Sequence, residues 1–159
     1  MAGDNQFDLV ILGGGSGGYA CAFRAADLGM SVALIEKAEV GGTCLHRGCI
    51  PTKALLHAAE IADHARDSAS VGVKTTFEGI DVPGVLSYKN GVVDRLWKGL
   101  QSTIASRKID TIEGPGRLES PTRVRVGDSS RPGPSIVSIF RLAMVDCSPF
   151  QSRSTTPFL

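Results

Sequence analysis

Apolar and polar residues follow two periods along the chain, and these divide residues 1–127 into strands and helices. Phe7 to Leu12, "FDLVIL", is a short β-rich apolar run that fits a parallel strand buried on both faces. It leads into "GGGSGG". The alanine-rich "YACAFRAADLGM" that follows reads as a helix ending near Gly29. Ser31 to Ile35, "SVALI", is a second strand, closed by Glu36. Further on, "KALLHAAEIADHARD" is an amphipathic helix, with Leu55, Ala59, Ala62 and Ala65 on one side and Glu60, Asp63 and Arg66 toward water. Val85 to Ile104 is also helical, with a stripe of Val92, Val93, Leu96, Trp97, Leu100 and Ile104 that Gly91 and Gly99 weaken slightly. Trp97 and Tyr88 are expected in core or interface packing. "IDTIEG" is a strand, and "TRVRV" is a half-buried strand whose Arg123 and Arg125 form the solvated face.

The first three elements frame a G-x-G-x-x-G at Gly13, Gly15 and Gly18. Gly13 permits a tight turn, Gly15 lets backbone approach a pyrophosphate, and Gly18 lets helix and strand pack closely. The helix directs free N–H groups and its positive dipole end at the phosphates. Glu36, 18 residues past Gly18, is placed to accept hydrogen bonds from ribose hydroxyls. Strand, glycine turn, helix, strand and acid together predict a dinucleotide site. The motif alone does not separate FAD from NAD.

The second stretch with chemistry is "GGTCLHRGCIPTK", residues 41–53, which holds Cys44 and Cys49. Zinc sites need about four ligands in spaced pairs. Cys21 and Cys147 are distant and unpaired, and His46, His57 and His64 complete no such set, so no metal is expected. In a regular helix, residues five apart have Cα atoms roughly 8–9 Å apart. A disulfide needs less than about 7 Å. A Cys44–Cys49 bond therefore demands a distorted turn. Gly48 relaxes the backbone there, and Pro51 would clash with the Arg47 carbonyl in a straight helix. Cys49 then lies near a helix N-terminus, where the dipole favours thiolate.

These thirteen residues resemble the active-site signature of FAD-dependent pyridine-nucleotide disulfide oxidoreductases, and Leu45, Ile50, Thr52 and Lys53 are most similar to its dihydrolipoyl dehydrogenase branch. Glutathione and mercuric reductases, the related alternatives, usually carry valine at the Leu45 and Ile50 positions. The family usually has asparagine where this chain has His46. The resemblance runs from about Phe7 to Val126. It implies an α/β, Rossmann-like FAD-binding domain, incomplete at residues 1–127. It also implies that Cys44 is the interchange thiol and Cys49 the thiol beside the flavin. Gly42 and Thr43 would contact the FAD pyrophosphate, and Lys53 would tune the flavin ring. Glu36 would bind the adenosine ribose, which assigns the first nucleotide site to FAD. Ser16 and Lys37 fall among the implied cofactor-binding residues. "EGPG" matches a further family turn, in which the Gly116 N–H would meet the adenine end. Implied partners are dihydrolipoamide of 2-oxoacid dehydrogenase complexes and a second copy in a homodimer. NAD is the family's electron acceptor. Its second glycine fingerprint and the interface domain with a histidine–glutamate pair are absent from this sequence.

Charge changes the picture only by exclusion. A formal net charge of +1 gives no field for nucleic acid or an anionic membrane. No apolar run approaches the roughly 20 residues of a spanning helix. "MAGDNQFD" has no signal-peptide pattern, and a cytoplasmic location is expected. From Asp128 the composition shifts: the remainder holds seven serines, four of the eight prolines and no glutamate. Residues 128–159 are therefore expected to be a non-homologous or disordered tail, such as a shifted reading frame or truncated gene model would give. Its apolar pieces "SIVSIF" and "RLAMV" suit a strand or a helical turn.

Overall fold

The computed structural model describes residues 5–127 and 135–144. In chain order the elements are β1 (Asn5–Leu12), α1 (Ser16–Asp27), β2 (Val32–Glu36), the short α2 (Gly42–His46), α3 (Cys49–Asp67), a 3-10 turn (Ser68–Val71), α4 (Val82–Ser106), β3 (Asp110–Glu113), β4 (Gly116–Ser120), β5 (Arg123–Val126) and β6 (Ser135–Met144). Among the described residues six strands form one sheet in the order β3-β2-β1-β6-β5-β4. β3, β2, β1 and β6 run parallel, and β5 and β4 continue antiparallel. The fold is α/β and Rossmann-like, as expected.

β1 is apolar through its second half because both faces are covered. Leu9 and Ile11 join Ala22 and Ala25 of α1, Leu34 of β2 and Ile104 of α4 in one buried cluster. Val10 faces the other way, with Ala33, Ile35, Val124 and Val126. The start of the β1–β2 pair is clamped by Asp8, whose Oδ2 accepts from the Ser31 N–H and hydroxyl at 2.8 and 2.7 Å. These bonds hold the Asp8 carboxyl below its ordinary value. Register aligns the far ends: Leu12 lies opposite Ile35, and Glu36 opposite Glu113. From β1 the chain steps outward to β2 and β3, then returns to β6 on the other side of β1. This reversal opens a crevice at the carboxyl edge, where ligands of open α/β sheets bind.

α4 ends in a Schellman motif: the Lys108 N–H reaches the Ala105 carbonyl and the Ile109 N–H the Ile104 carbonyl. Ile104 and Ile109 share the core cluster, which locks the helix exit onto β3.

Several expectations change here. On α3 the buried positions are Pro51, Ala54 and Ala62, whereas Leu55 and Ala59 are exposed. The stripe is rotated because α3 packs through its smallest side chains, which leaves Leu55, Leu56 and Ile61 on the outer surface. On α4 only Ile104 of the expected stripe is buried. Trp97 is half-buried and Tyr88 exposed, so neither is a core residue. In "TRVRV", Val124 and Val126 are buried as expected, and Arg125 pairs with Glu119 across the hairpin. Of residues 128–159, Ser135–Met144 forms β6, between β1 and β5. The segment holding "SIVSIF" and "RLAMV" is thus a strand, one of the two forms expected for it, and its backbone pairs with the facing edges of β1 and β5. Residues 128–134 and 145–159 lie outside the described residues, and Cys147 with them.

Candidate functional site

The glycine turn sits at the crevice and is built from backbone. Gly13 has φ +101° and donates its N–H to the Ile35 carbonyl at 2.8 Å, which fastens the turn to β2. Gly15 is the N-cap of α1, with no side-chain cap and no acid in the first helical turn. Ser16 opens the helix from an exposed position. A Cβ on Gly18 would lie 1.9 Å from the Gly13 carbonyl oxygen, so this close approach admits only glycine.

A second backbone segment closes over the first. Gly41 donates to the Gly14 carbonyl at 2.8 Å. A Cβ on Gly42 would lie 2.9 Å from the Gly15 Cα. Glu36 braces the junction, with Oε2 accepting from the Gly14 N–H at 2.7 Å and Oε1 from the Ala38 N–H at 3.1 Å. The same carboxylate lines a cleft of about 690 Å³, together with Glu39, Val40, Trp97, Ile112 and Glu113. Lys37 is exposed beside it. Gly116 reaches the same edge: a Cβ there would lie 2.7 Å from Leu12 Cδ2 and 3.0 Å from Ile35 Cγ2.

The cysteines follow at once. Cys44 lies in α2, and Cys49 is the first residue of α3. Between them Arg47 (φ −133°) and Gly48 (φ −121°, ψ −100°) break the helix. The distortion that a close pair needs is thus present, and it falls three to four residues before Pro51. Arg47 is not helical, so the proline clash never arises, and Pro51 sits in the first turn, where its missing N–H is not needed. The Arg47 and Gly48 N–H groups both go to the Thr43 carbonyl, at 2.9 and 2.7 Å. The Thr43 side chain is exposed.

Cys44 and Cys49 are both free thiols, half-buried and exposed respectively. The hydrogen bond between them raises the Cys44 thiol above its ordinary value, with burial and the nearby Cys49 charge adding to the rise and Lys53 opposing it. Cys44 therefore holds its proton to higher pH than an isolated thiol does. Cys49→Ala removes the largest cause, so the pH midpoint for Cys44 alkylation is expected to fall. Peptide mass spectrometry of pulse-labelled protein reads it, and an unchanged or higher midpoint contradicts the assignment. Lys53, on α3 one turn beyond Cys49, supplies the local positive charge.

The structure thus brings Gly13, Gly15, Gly18, Glu36, Gly42 and Gly116 to one edge and carries Cys44, Cys49 and Lys53 directly behind Gly42. Sequence reasoning missed Gly14 and Gly41, whose backbones bond the two loops together, and the half-buried His46 and Trp97, which meet edge-on at 6.0 Å. The paired glycines at 41–42 were the available signal for the loop closure. Nothing in helical periodicity signals the His46–Trp97 contact. Among the described residues, no three His, Cys, Asp or Glu side chains converge as metal ligands. Among the same residues, no helix is long and apolar enough to cross a membrane.

Residues 7–132 match the family model described as pyridine nucleotide-disulphide oxidoreductase. The chain is 46% identical over 117 residues to the dihydrolipoyl dehydrogenase of Bacillus subtilis (strain 168), covering 74% of this chain and 25% of that protein. It is 38% identical over 155 residues to the Chlamydia trachomatis dihydrolipoyl dehydrogenase, covering 98% of this chain and 33% of that one. The second alignment therefore extends into the segment after residue 127. Among solved structures, the copper(II) complex of the HOCl-induced flavoprotein disulfide reductase RclA from Escherichia coli superposes with a TM-score of 0.70 at 29% identity, over 89% of this chain and 28% of that one. The chain spans about a quarter to a third of the length of these relatives. With its glycine turn, bracing acid and broken-helix dithiol, the chain belongs to the pyridine nucleotide-disulphide oxidoreductase family.

Proposed function

We propose that this chain forms the FAD-binding part of a disulfide oxidoreductase of the dihydrolipoyl dehydrogenase kind, with Cys44 and Cys49 as its exchanging pair. The observation that carries the reading is the junction at Gly42. One residue packs its backbone against the phosphate-type turn at Gly15 and opens the helix that bears Cys44. The residues present fit FAD: Gly15 leaves the α1 N-terminus uncapped, and at Gly18 and Gly42 a side chain would fill the cradle. Gly13, Gly15, Ser16, Gly18, Gly42 and Thr43 would hold the pyrophosphate. Glu36, with Lys37 beside it, would hold the ribose, and Gly116 would meet the adenine end. Bound FAD would supply the two-electron acceptor for the reduced pair, with NAD as the further acceptor in a full-length relative.

The chain's own part is thiol exchange. Starting from the Cys44–Cys49 disulfide, a thiolate of dihydrolipoamide attacks Cys44 Sγ. The S–S bond breaks, and its electron pair goes to Cys49 Sγ at the amino end of α3, which has no side-chain cap and whose dipole favours negative charge. The second substrate thiol, losing its proton, then attacks the mixed disulfide and releases Cys44. The substrate ends as its disulfide and the protein as its dithiol. A base must take the proton of the incoming dithiol. The family resemblance assigns that base to an interface domain outside these 159 residues, so steady turnover is not expected of this chain alone. The exposed Leu55, Leu56, Ile61 and Leu86 of the α3–α4 layer support packing against further protein, in keeping with a homodimer. A cytoplasmic setting suits a pair that must cycle through its dithiol.

The test is reconstitution. The chain refolded with FAD and desalted is expected to keep yellow flavin absorbance, and its oxidised pair to be converted to two thiols by dihydrolipoamide. Protein that stays colourless and keeps its disulfide under dihydrolipoamide overturns the reading.

A further inference from the structure

We propose that His46 is a positioning residue for the thiol pair, holding the turn that carries Cys44 so that its sulfur stays within bonding reach of Cys49. This rests on the reading of Cys44 and Cys49 as an exchanging pair. α2 has five residues, too few to be stable by itself. Its amino end is fixed by the approach of Gly42 to Gly15 and by the bond from Gly41 to Gly14. Its carboxyl end runs into the break at Arg47 and Gly48. The N–H groups of those two residues return to Thr43, inside the same turn, and so tie α2 to itself rather than to its surroundings.

Two side chains anchor that end outward. Leu45 is buried against Gly41, a contact without direction. His46 supplies the directional contacts. Its Nε2 lies 3.0 Å from the Val40 carbonyl, an acceptor only, so Nε2 carries the hydrogen and donates it. Its Nδ1 faces Glu39 Oε2 at 3.6 Å, and its ring meets the Trp97 ring of α4 edge-on. The imidazole thereby joins the end of the Cys44 turn to the loop after β2 and to α4.

Pinning both ends of α2 acts on the effective concentration of one thiol at the other. When the pair is oxidised, the S–H bonds of Cys44 and Cys49 are lost and one S–S bond forms. Oxidised glutathione takes up the two electrons and two protons as two thiols. A loosened turn makes that closure less favourable while leaving both thiols chemically intact.

The experiment equilibrates the full chain, without flavin, in glutathione buffers of graded ratio and counts alkylated thiols by mass. His46→Gln places an amide nitrogen where the imidazole Nε2 lies and keeps the bond to Val40. His46→Asn is shorter and loses it, as does His46→Ala. The Gln variant is expected within about twofold of the unsubstituted chain, whereas the Asn and Ala variants move the equilibrium about tenfold toward dithiol, or about 30 mV for this two-electron couple. Circular dichroism checks that each variant is folded. If His46→Ala does not fold, the Gln–Asn comparison decides alone. Equal constants for Gln and Asn overturn the inference, as does a Gln variant shifted as far as Ala. An unsubstituted chain that forms no disulfide at any ratio overturns instead the reading of the pair.

Discussion

Gly18→Ala is expected to destabilise the fold by about 3 kcal/mol, and Gly91→Ala, the same change, to stabilise it by about 1 kcal/mol. Both glycines lie inside helices, α1 and α4, where alanine is intrinsically the better residue. The sign is set by what the added methyl meets. At Gly91 there is nothing within 4 Å, so only the propensity gain remains. At Gly18 the Cβ would stand 1.9 Å from the Gly13 carbonyl oxygen and 3.6 Å from Ile11 Cγ2. Neither the carbonyl nor the helix can yield alone, because Gly13 is bonded to Ile35 and α1 packs on β1 through Ala22 and Ala25. Urea unfolding of the two variants separates them, and effects of the same sign would refute the packing assigned to the turn.

The second large effect is on ligand affinity. Gly42→Ala is expected to weaken FAD binding by about 30-fold or more, a loss of about 2 kcal/mol. Gly42 has φ +61°, and its Cβ would fall 2.9 Å from the Gly15 Cα, a backbone atom that moves only with the whole turn. Gly29→Ala is the control: it has φ +80° and so carries a comparable left-handed strain, but nothing lies within 4 Å. Its affinity is expected to match that of the unsubstituted chain. Titration with quenching of flavin fluorescence reads both, and equal affinities for the two variants would remove Gly42 from the cofactor cradle.

What the sequence made legible follows from how locally each feature is encoded. β1, the glycine turn, α1 and β2 were readable because every part has its own residue signal within a few positions. The broken helix between Cys44 and Cys49 was readable from Gly48 and Pro51. The facing of α3 was not. Leu55 outranks Ala54 in any hydrophobicity count, yet it is Ala54 that is buried and Leu55 that is exposed. β4 carries no alternation and is exposed or half-exposed throughout, and it exists because β5 offers a partner edge. In the sequence His46 stands out as a departure from the family pattern and as a histidine that completes no metal set. Its partners, the Val40 carbonyl and Trp97, are a backbone atom and a side chain 51 positions away, and neither leaves a trace at position 46.

The position of β6 bears on how the chain emerges during synthesis. β1 is one of the two central strands of the sheet, and along one edge it pairs with a segment in which Val137 lies opposite Asn5, 132 residues later. At the usual pace of translation, about 5–20 residues per second, that edge waits roughly 7–26 s for its partner. Its other edge is met early, since β2 follows within some twenty residues. For that interval the nascent polypeptide carries a half-satisfied apolar strand. An unpaired apolar edge is open to other chains, so holdase protection during that interval would favour the yield of folded protein.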